Sequence, residues 1–140
     1  MTRPVAALLS VALFVAGAAA QSPTVYKARL GVTPVDANNQ PVVTGSGSVT
    51  ATLKGTVLVI DGTFTGLHSP ATSARVHVGP RGIRGPAVLD LTVTKARAGT
   101  ITGALTLTEA QLEHLRRSRL YIQINSEEAA DGNLWGWLLP

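Results

Sequence analysis

The chain has 140 residues, no cysteine, 14% charged side chains and a formal net charge of +4. Such a length allows one domain at most. The absence of cysteine excludes a disulfide scaffold, a cysteine-ligated zinc site, an iron–sulfur cluster and a thiol nucleophile. The excess of positive charge is too small to predict nucleic-acid binding, which usually needs a clustered basic face with exposed aromatic side chains.

Residues 1–20 have the pattern of a signal peptide. Arg3 is followed by an apolar run too short to span a bilayer, and three alanines then form a small-residue cleavage site. We predict cleavage between Ala20 and Gln21, which leaves a single domain, residues 21–140, in the periplasm or outside the cell. An uncleaved N-terminal anchor is the alternative that this pattern leaves open.

The remaining chain reads as mainly β, because threonine and valine are abundant and β-branched side chains favour strands. Polar and apolar residues alternate in eight segments that are separated by turn residues. These segments are Val25–Leu30, Ser48–Lys54, Thr56–Phe64, Ser73–Val78, Ala87–Val93, Thr100–Leu107, Leu120–Ile124 and Leu134–Leu138. Eight short strands predict a β-sandwich.

Two connections have a clear local signature. The short link through Gly55 predicts a hairpin between the second and third strands. The glycine- and proline-rich segment 79–86 is too short for a collagen-like array, so we interpret it as a surface loop.

One segment, residues 108–117, predicts a short helix. Thr108 at the N-cap and Gln111 three residues later form a capping box. Glu109 lies at the positive end of the helix dipole, and Leu112 and Leu115 provide apolar contacts to the domain.

Several ordered motifs resemble the CHRD (chordin-type) domain, a family of secreted and bacterial envelope proteins. Its central block F-x-G-L, P-A-T-x-A-H-I-H-x-G and G-x-x-G-P-V is similar to residues 64–88, its L-T-x-x-Q-x-x-x-L helix to residues 107–115, and its last two strands to residues 120–126 and 132–138. The matching motif positions include Gly66, Leu67, His77, Gly79, Tyr121, Gly132 and Gly136. The resemblance implies an immunoglobulin-like or superoxide-dismutase-like Greek-key sandwich of about seven to eight strands, and no agreed biochemical activity.

The chain departs from this family pattern at five positions. The family pattern has two further histidines besides the one at His77. Their positions are occupied here by Arg75 and Asn125. In the terminal strand, Asn133, Trp135 and Trp137 replace glutamate, arginine and glutamine, three substitutions that we expect on one face.

A metal or redox site is the alternative function, since the dismutase-like resemblance invites one centred on His77. The three histidines, His68, His77 and His114, lie in a loop, a strand and a helix, so no local spacing brings them together. We therefore predict no metal and no cofactor, and a structural role for His77.

No catalytic motif is present. The sequence has neither a nucleophile elbow nor an H-E-x-x-H zinc motif, and Glu113 and His114 on the helix are better explained as a solvated face whose acidic side chains pair with Arg116 and Arg117. We predict that the protein is not an enzyme.

The two tryptophans are the strongest candidates for a binding surface. On a strand, Trp135 and Trp137 point to one face, and the alternate residues, including Gly136, point to the other. If the alternate residues face the core, both tryptophans lie on the outer face. An exposed tryptophan pair, with Arg81 and Arg84 of the loop nearby, would contact an extracellular or envelope protein or a glycan. The competing interpretation is that other elements cover both tryptophans. The sequence thus predicts a non-catalytic binding or structural module.

Overall fold

The computed structural model describes Thr2 and residues 22–140, so the predicted signal peptide, apart from Thr2, and its cleavage site lie outside the described residues. Eight strands and one helix follow in chain order. They are β1 (Thr24–Val32), β2 (Ser46–Lys54), β3 (Val57–Thr65), β4 (Ala71–Val78), β5 (Ala87–Val93), β6 (Gly99–Thr106), α1 (Glu109–Arg116), β7 (Leu120–Ser126) and β8 (Leu134–Trp137).

The prediction of eight strands is confirmed, and each strand end lies within two residues of its predicted position. The hairpin through Gly55 is also confirmed, because Lys54 pairs with Val57 across a two-residue turn. Gly55 has a φ of +63°, a left-handed conformation that glycine adopts without steric cost.

The prediction of a sandwich, immunoglobulin-like or dismutase-like, is wrong: the strands form a closed antiparallel barrel in the order β1-β2-β3-β6-β5-β4-β7-β8. Two strands close it by changing partners along their length. β1 pairs with β2 from Thr24 to Leu30 and with β8 at Gly31 and Val32. In the same way, β5 pairs first with β4 and then, through its last two residues, with β6. A strand shared in this way leaves no open edge between two sheets.

The core fills the barrel with the inward residues of every strand. Its largest fully buried apolar side chains include Leu58, Ile60, Val76, Ile101, Ile122 and Ile124. The alternation is clear in β3, where buried residues alternate with exposed ones from Val57 to Ile60.

The predicted helix and its capping box are both confirmed. The backbone N–H of Gln111 donates to the Thr108 hydroxyl (3.2 Å), and the Thr108 N–H donates to the Gln111 side chain (2.9 Å). Leu112 and Leu115 are buried in the core. Among the described residues no helix is long and apolar enough to cross a membrane.

One strand departs from the alternating pattern, because β7 is buried on both faces. Leu120, Ile122 and Ile124 enter the core, and yet Tyr121 and Gln123, which point outward, are also buried. A second layer of side chains therefore covers the outside of the barrel at β7.

Candidate binding surface

The covering layer consists of aromatic side chains from three neighbouring strands. His77 of β4 lies opposite Tyr121 of β7, and Tyr121 lies opposite Trp137 of β8. Trp135 lies opposite Gln123 in the next outward row. Residues directly opposite each other in a sheet share a face, so these four side chains form one cluster on the outer wall, which we call the aromatic face: His77, Tyr121, Trp135 and Trp137.

The rings of the aromatic face contact one another closely. The Tyr121 ring stacks on His77 with 4.9 Å between centroids and lies 4.5 Å from Trp137. Trp135 meets Tyr121 edge-on at 5.8 Å and Trp137 at 4.8 Å. Such arrangements are favoured by the quadrupoles of the rings. Tyr121 is fully buried beneath the two tryptophans, which are themselves half-buried.

The 79–86 loop, which follows β4, is fixed against this cluster through Gly85. The N–H of Gly85 donates to the Tyr121 hydroxyl (2.8 Å), which in turn donates to the carbonyl of Gly85 (3.1 Å). His77 Nδ1 donates to the same carbonyl (2.9 Å). A Cβ atom at Gly85 would overlap the carbonyl oxygen of Val78, so a side chain has no room at this position.

Trp137 holds the other end of the loop. Its indole Nε1–H donates to the carbonyl of Gly79 (2.9 Å), and the N–H of Gly79 donates to the carbonyl of Arg119 (2.9 Å). Because the Trp137 donor is already satisfied, this side chain offers a ligand its ring and not a hydrogen bond. The surface loop predicted from the sequence is therefore an ordered part of the site.

The two loop arginines lie in different surroundings. The Arg84 guanidinium is 5.9 Å from the centre of the Trp135 ring and donates to the carbonyl of Asp131 (2.5 Å). This cation–π contact and hydrogen bond anchor Arg84 beside the aromatic face. Arg81 is exposed and lines a groove on the other side of the tryptophans.

That groove, which we call the basic groove, has a volume of about 370 Å³ and lies where β1 meets β8. It is lined by Lys27, Arg29, Gly31, Arg81, Trp135, Gly136, Trp137 and Leu139. Lys27 and Arg29 were not predicted as site residues from the sequence. Their alternate spacing on β1 indicated an outward face, but nothing local in the chain indicated that β8 would be the neighbour of β1.

The expected grouping of Asn133 with the tryptophans on one face is wrong, because Asn133 precedes β8 and is fully buried. Its side-chain oxygen accepts from Ser126 (2.7 Å), and its side-chain nitrogen donates to the carbonyl of Thr44 (2.8 Å). Its role in the structure is to fix the loop that precedes β2 against the β7–β8 connection.

The histidines do not come together. His68 pairs with Glu128, His114 lies on α1, and His77 lies in the aromatic face. Within the part of the chain that the structure describes, no group of three or more histidine, cysteine, aspartate or glutamate side chains is placed to hold a metal ion. The predicted pairing on the helix is present, since Glu113 contacts Arg116 and Arg117.

The other family-motif positions have backbone or core roles. Gly66 and Gly132 have positive φ values of +75° and +135°, Leu67 is buried in the core, and Gly136 lies directly against the backbone of Arg29. These positions shape the barrel and its connections.

The fold and this surface define a small antiparallel barrel domain with a closely packed aromatic patch. The family model of the CHRD domain matches residues 29–138, so the chain belongs to the CHRD domain family, as its motifs indicated. No curated protein and no solved structure matches the chain significantly.

Proposed function

We propose that this CHRD domain is a non-catalytic binding module, secreted or held in the cell envelope, that contacts its partner through Trp135 and Trp137 together with Arg81 and Arg84. The partner is an extracellular or envelope glycan or protein. Signal-peptide-like residues 1–20 support the location, and the family membership supports the class of function.

The observation that carries this proposal is the set of contacts that fix the half-exposed tryptophan pair in place. Trp137 is fixed by its bond to Gly79, and Trp135 lies between Trp137 and the Arg84 guanidinium. A surface aromatic group held in one conformation binds a ligand without losing further side-chain entropy. Tryptophan and arginine are also the residue types that most often dominate binding energy at interfaces.

The runner-up function, a divergent metal or redox domain centred on His77, has less support. The Nδ1 atom of His77 is already bonded to Gly85, and its ring stacks on Tyr121. Both contacts suit a histidine that supports the 79–86 loop.

The test is capture of defined glycans on an array and of solubilised envelope proteins by the purified mature chain. We expect capture that is lost in Trp135→Ala and retained in Val59→Ala, a control that removes an exposed apolar side chain from β3. Thermal unfolding of each variant establishes that it is folded before binding is compared. Capture that is equal in all three proteins, or absent from the wild type, contradicts the proposal.

A further inference from the structure

The basic groove carries three cations and no acidic side chain. Lys27 and Arg29 project from β1 on one side, and Arg81 reaches it from the 79–86 loop. Within residues 22–140 the ion pairs are His68 with Glu128, Arg75 with Asp90, and Glu113 with Arg116 and Arg117. None of them involves a cation of the groove.

Like charges gathered without counter-charges repel one another, and a bound anion relieves this repulsion. Lys27 and Arg29 are two residues apart on one strand and point to the same side, so their Cα atoms are about 7 Å apart. A ligand with negative groups repeated along its length therefore complements the charge of the groove.

The floor of the groove is aromatic as well as basic. The pairing of Gly31 with Trp135 and of Lys27 with Leu139 places Arg29 opposite Trp137 in the same register. A cation and an indole ring thus lie side by side across the junction of β1 and β8. A sugar ring that carries a carboxylate fits both, because its C–H face packs on the indole and its carboxylate accepts hydrogen bonds from the cation.

The groove continues beyond β1. A second depression, about 650 Å³ in volume, shares Arg29 and Gly31 with the basic groove and extends over β2 and β3. The outward row there runs from Arg29 to Ser48 and then to Thr63, so hydroxyl groups follow the cation. Hydroxyl side chains both donate and accept hydrogen bonds, as the hydroxyls of a sugar chain require. Two adjoining depressions fit a linear polymer better than a single headgroup.

We infer that the basic groove and the hydroxyl-lined depression beside it bind an acidic polysaccharide, with the carboxylates of its uronic acid units on Lys27, Arg29 and Arg81 and a sugar ring against Trp137. This inference rests on the proposed function, because it names the class of ligand for the same surface. An anionic lipid bilayer offers negative charge too, but the cations lie along a groove in the barrel wall and not on a protruding apolar surface.

The test uses isothermal titration of the purified mature chain with an oligogalacturonate of six units. The matched ligand is the same oligomer with its carboxylates methyl-esterified, which keeps the rings and removes the charge. We expect the acidic oligomer to bind, the ester to bind at least about tenfold more weakly, and added salt to weaken the acidic complex.

Variants locate the site. Arg29→Gln and Arg81→Gln should each weaken binding of the acidic oligomer by about tenfold, the effect of one lost charge-assisted hydrogen bond. Lys54→Gln is the matched control, since it removes an exposed lysine at the far end of β2 and should leave affinity unchanged. Thr63→Val probes the second depression. It should weaken the binding of the six-unit oligomer more than the binding of a two-unit oligomer.

The outcomes separate the inference from the function on which it rests. Equal binding of the acid and the ester, sensitive to Trp137→Phe but not to Arg29→Gln, overturns the acidic ligand and leaves the aromatic binding surface in place. Binding of the acid that no tryptophan variant changes contradicts the proposed function. Binding to vesicles of phosphatidylglycerol and phosphatidylcholine without binding to oligogalacturonate overturns the polysaccharide in favour of a membrane.

Discussion

The hydroxyl of Tyr121 accepts a hydrogen bond from the N–H of Gly85 and donates one to its carbonyl, so a single side chain of β7 satisfies both backbone polar groups of one loop residue. Because these two bonds satisfy its hydroxyl, Tyr121 can be fully buried beneath the tryptophans although it points away from the core. The bonds also make the position of Arg81 and Arg84 depend on a residue about 40 positions later in the chain.

Replacing Tyr121 by phenylalanine tests this link. The variant keeps the ring stack and loses both bonds to Gly85, so we expect a loss of about 1–3 kcal/mol in the free energy of unfolding, measured with urea. Trypsin should also cut the 79–86 loop faster, at Arg81 or Arg84, because a loosened loop opens locally.

The control for this substitution is Tyr26→Phe, because the Tyr26 hydroxyl makes no hydrogen bond to any residue among 22–140. We expect that variant to change neither stability nor the rate of cleavage at the loop. Equal effects of the two substitutions would show that the Tyr121 bonds do not hold the loop.

Gly85→Ala should be among the most destabilising substitutions in the chain. The added methyl group overlaps the Val78 carbonyl, and the backbone must shift at the point where Tyr121 and His77 bind it. We expect a cost of about 3 kcal/mol or more. Gly31→Ala is the comparison, because a Cβ at Gly31 meets no atom within 4 Å. Similar thermal unfolding midpoints for the two variants would contradict this account of the loop.

Asn133→Ala should destabilise the domain by about 2–3 kcal/mol, because it leaves the Thr44 carbonyl and the Ser126 hydroxyl without their partner in a buried position. Chemical unfolding measures the change. Asn38→Ala, at an exposed turn, should have little effect. A cost at Asn133 no larger than that at Asn38 would mean that the buried hydrogen bonds contribute no net stability.

The tryptophan fluorescence of the protein, excited selectively, reports on the aromatic face alone, since Trp135 and Trp137 are its only tryptophans. Both side chains are half-buried, so we expect acrylamide to quench the emission to an extent between that of free indole and that of a buried side chain. The variants Trp135→Phe and Trp137→Phe separate the two contributions. Emission that is fully protected from acrylamide would contradict the proposal that the two tryptophans form a contact surface.

Elemental analysis of the purified chain tests the metal alternative. His77 Nδ1 donates to Gly85, and the other two histidines lie elsewhere in the fold, so we expect no stoichiometric metal in the wild type. Bound metal that is lost in His77→Ala and retained in His114→Ala would establish the metal or redox function instead.

Local features of the fold were predictable from local sequence. The two-residue turn through Gly55 and the capping box of Thr108 and Gln111 depend on neighbours within four residues, and both are present. The positions of the strands followed from alternation for the same reason. The alternation of polar and apolar residues predicts which side chains share a face, but it does not predict which strands are adjacent.

The closure of the barrel lay beyond such reasoning, because it depends on β1 and β5 changing partners midway. The candidate site was predictable only in part. Trp135, Trp137 and the loop arginines were identified, but the half-burial of the two tryptophans depends on contacts with Tyr121 and the 79–86 loop, which are distant in sequence.

Periodicity, caps and motifs are encoded by residues near one another in the chain, so the strands, the capped helix, the family and the shared face of Trp135 and Trp137 could be read from the sequence. The closure of the strands into a barrel and the position of Arg29 beside Trp137 depend on tertiary contacts. Those two residues are more than a hundred positions apart, and they become neighbours only when β1 pairs with β8 to close the barrel.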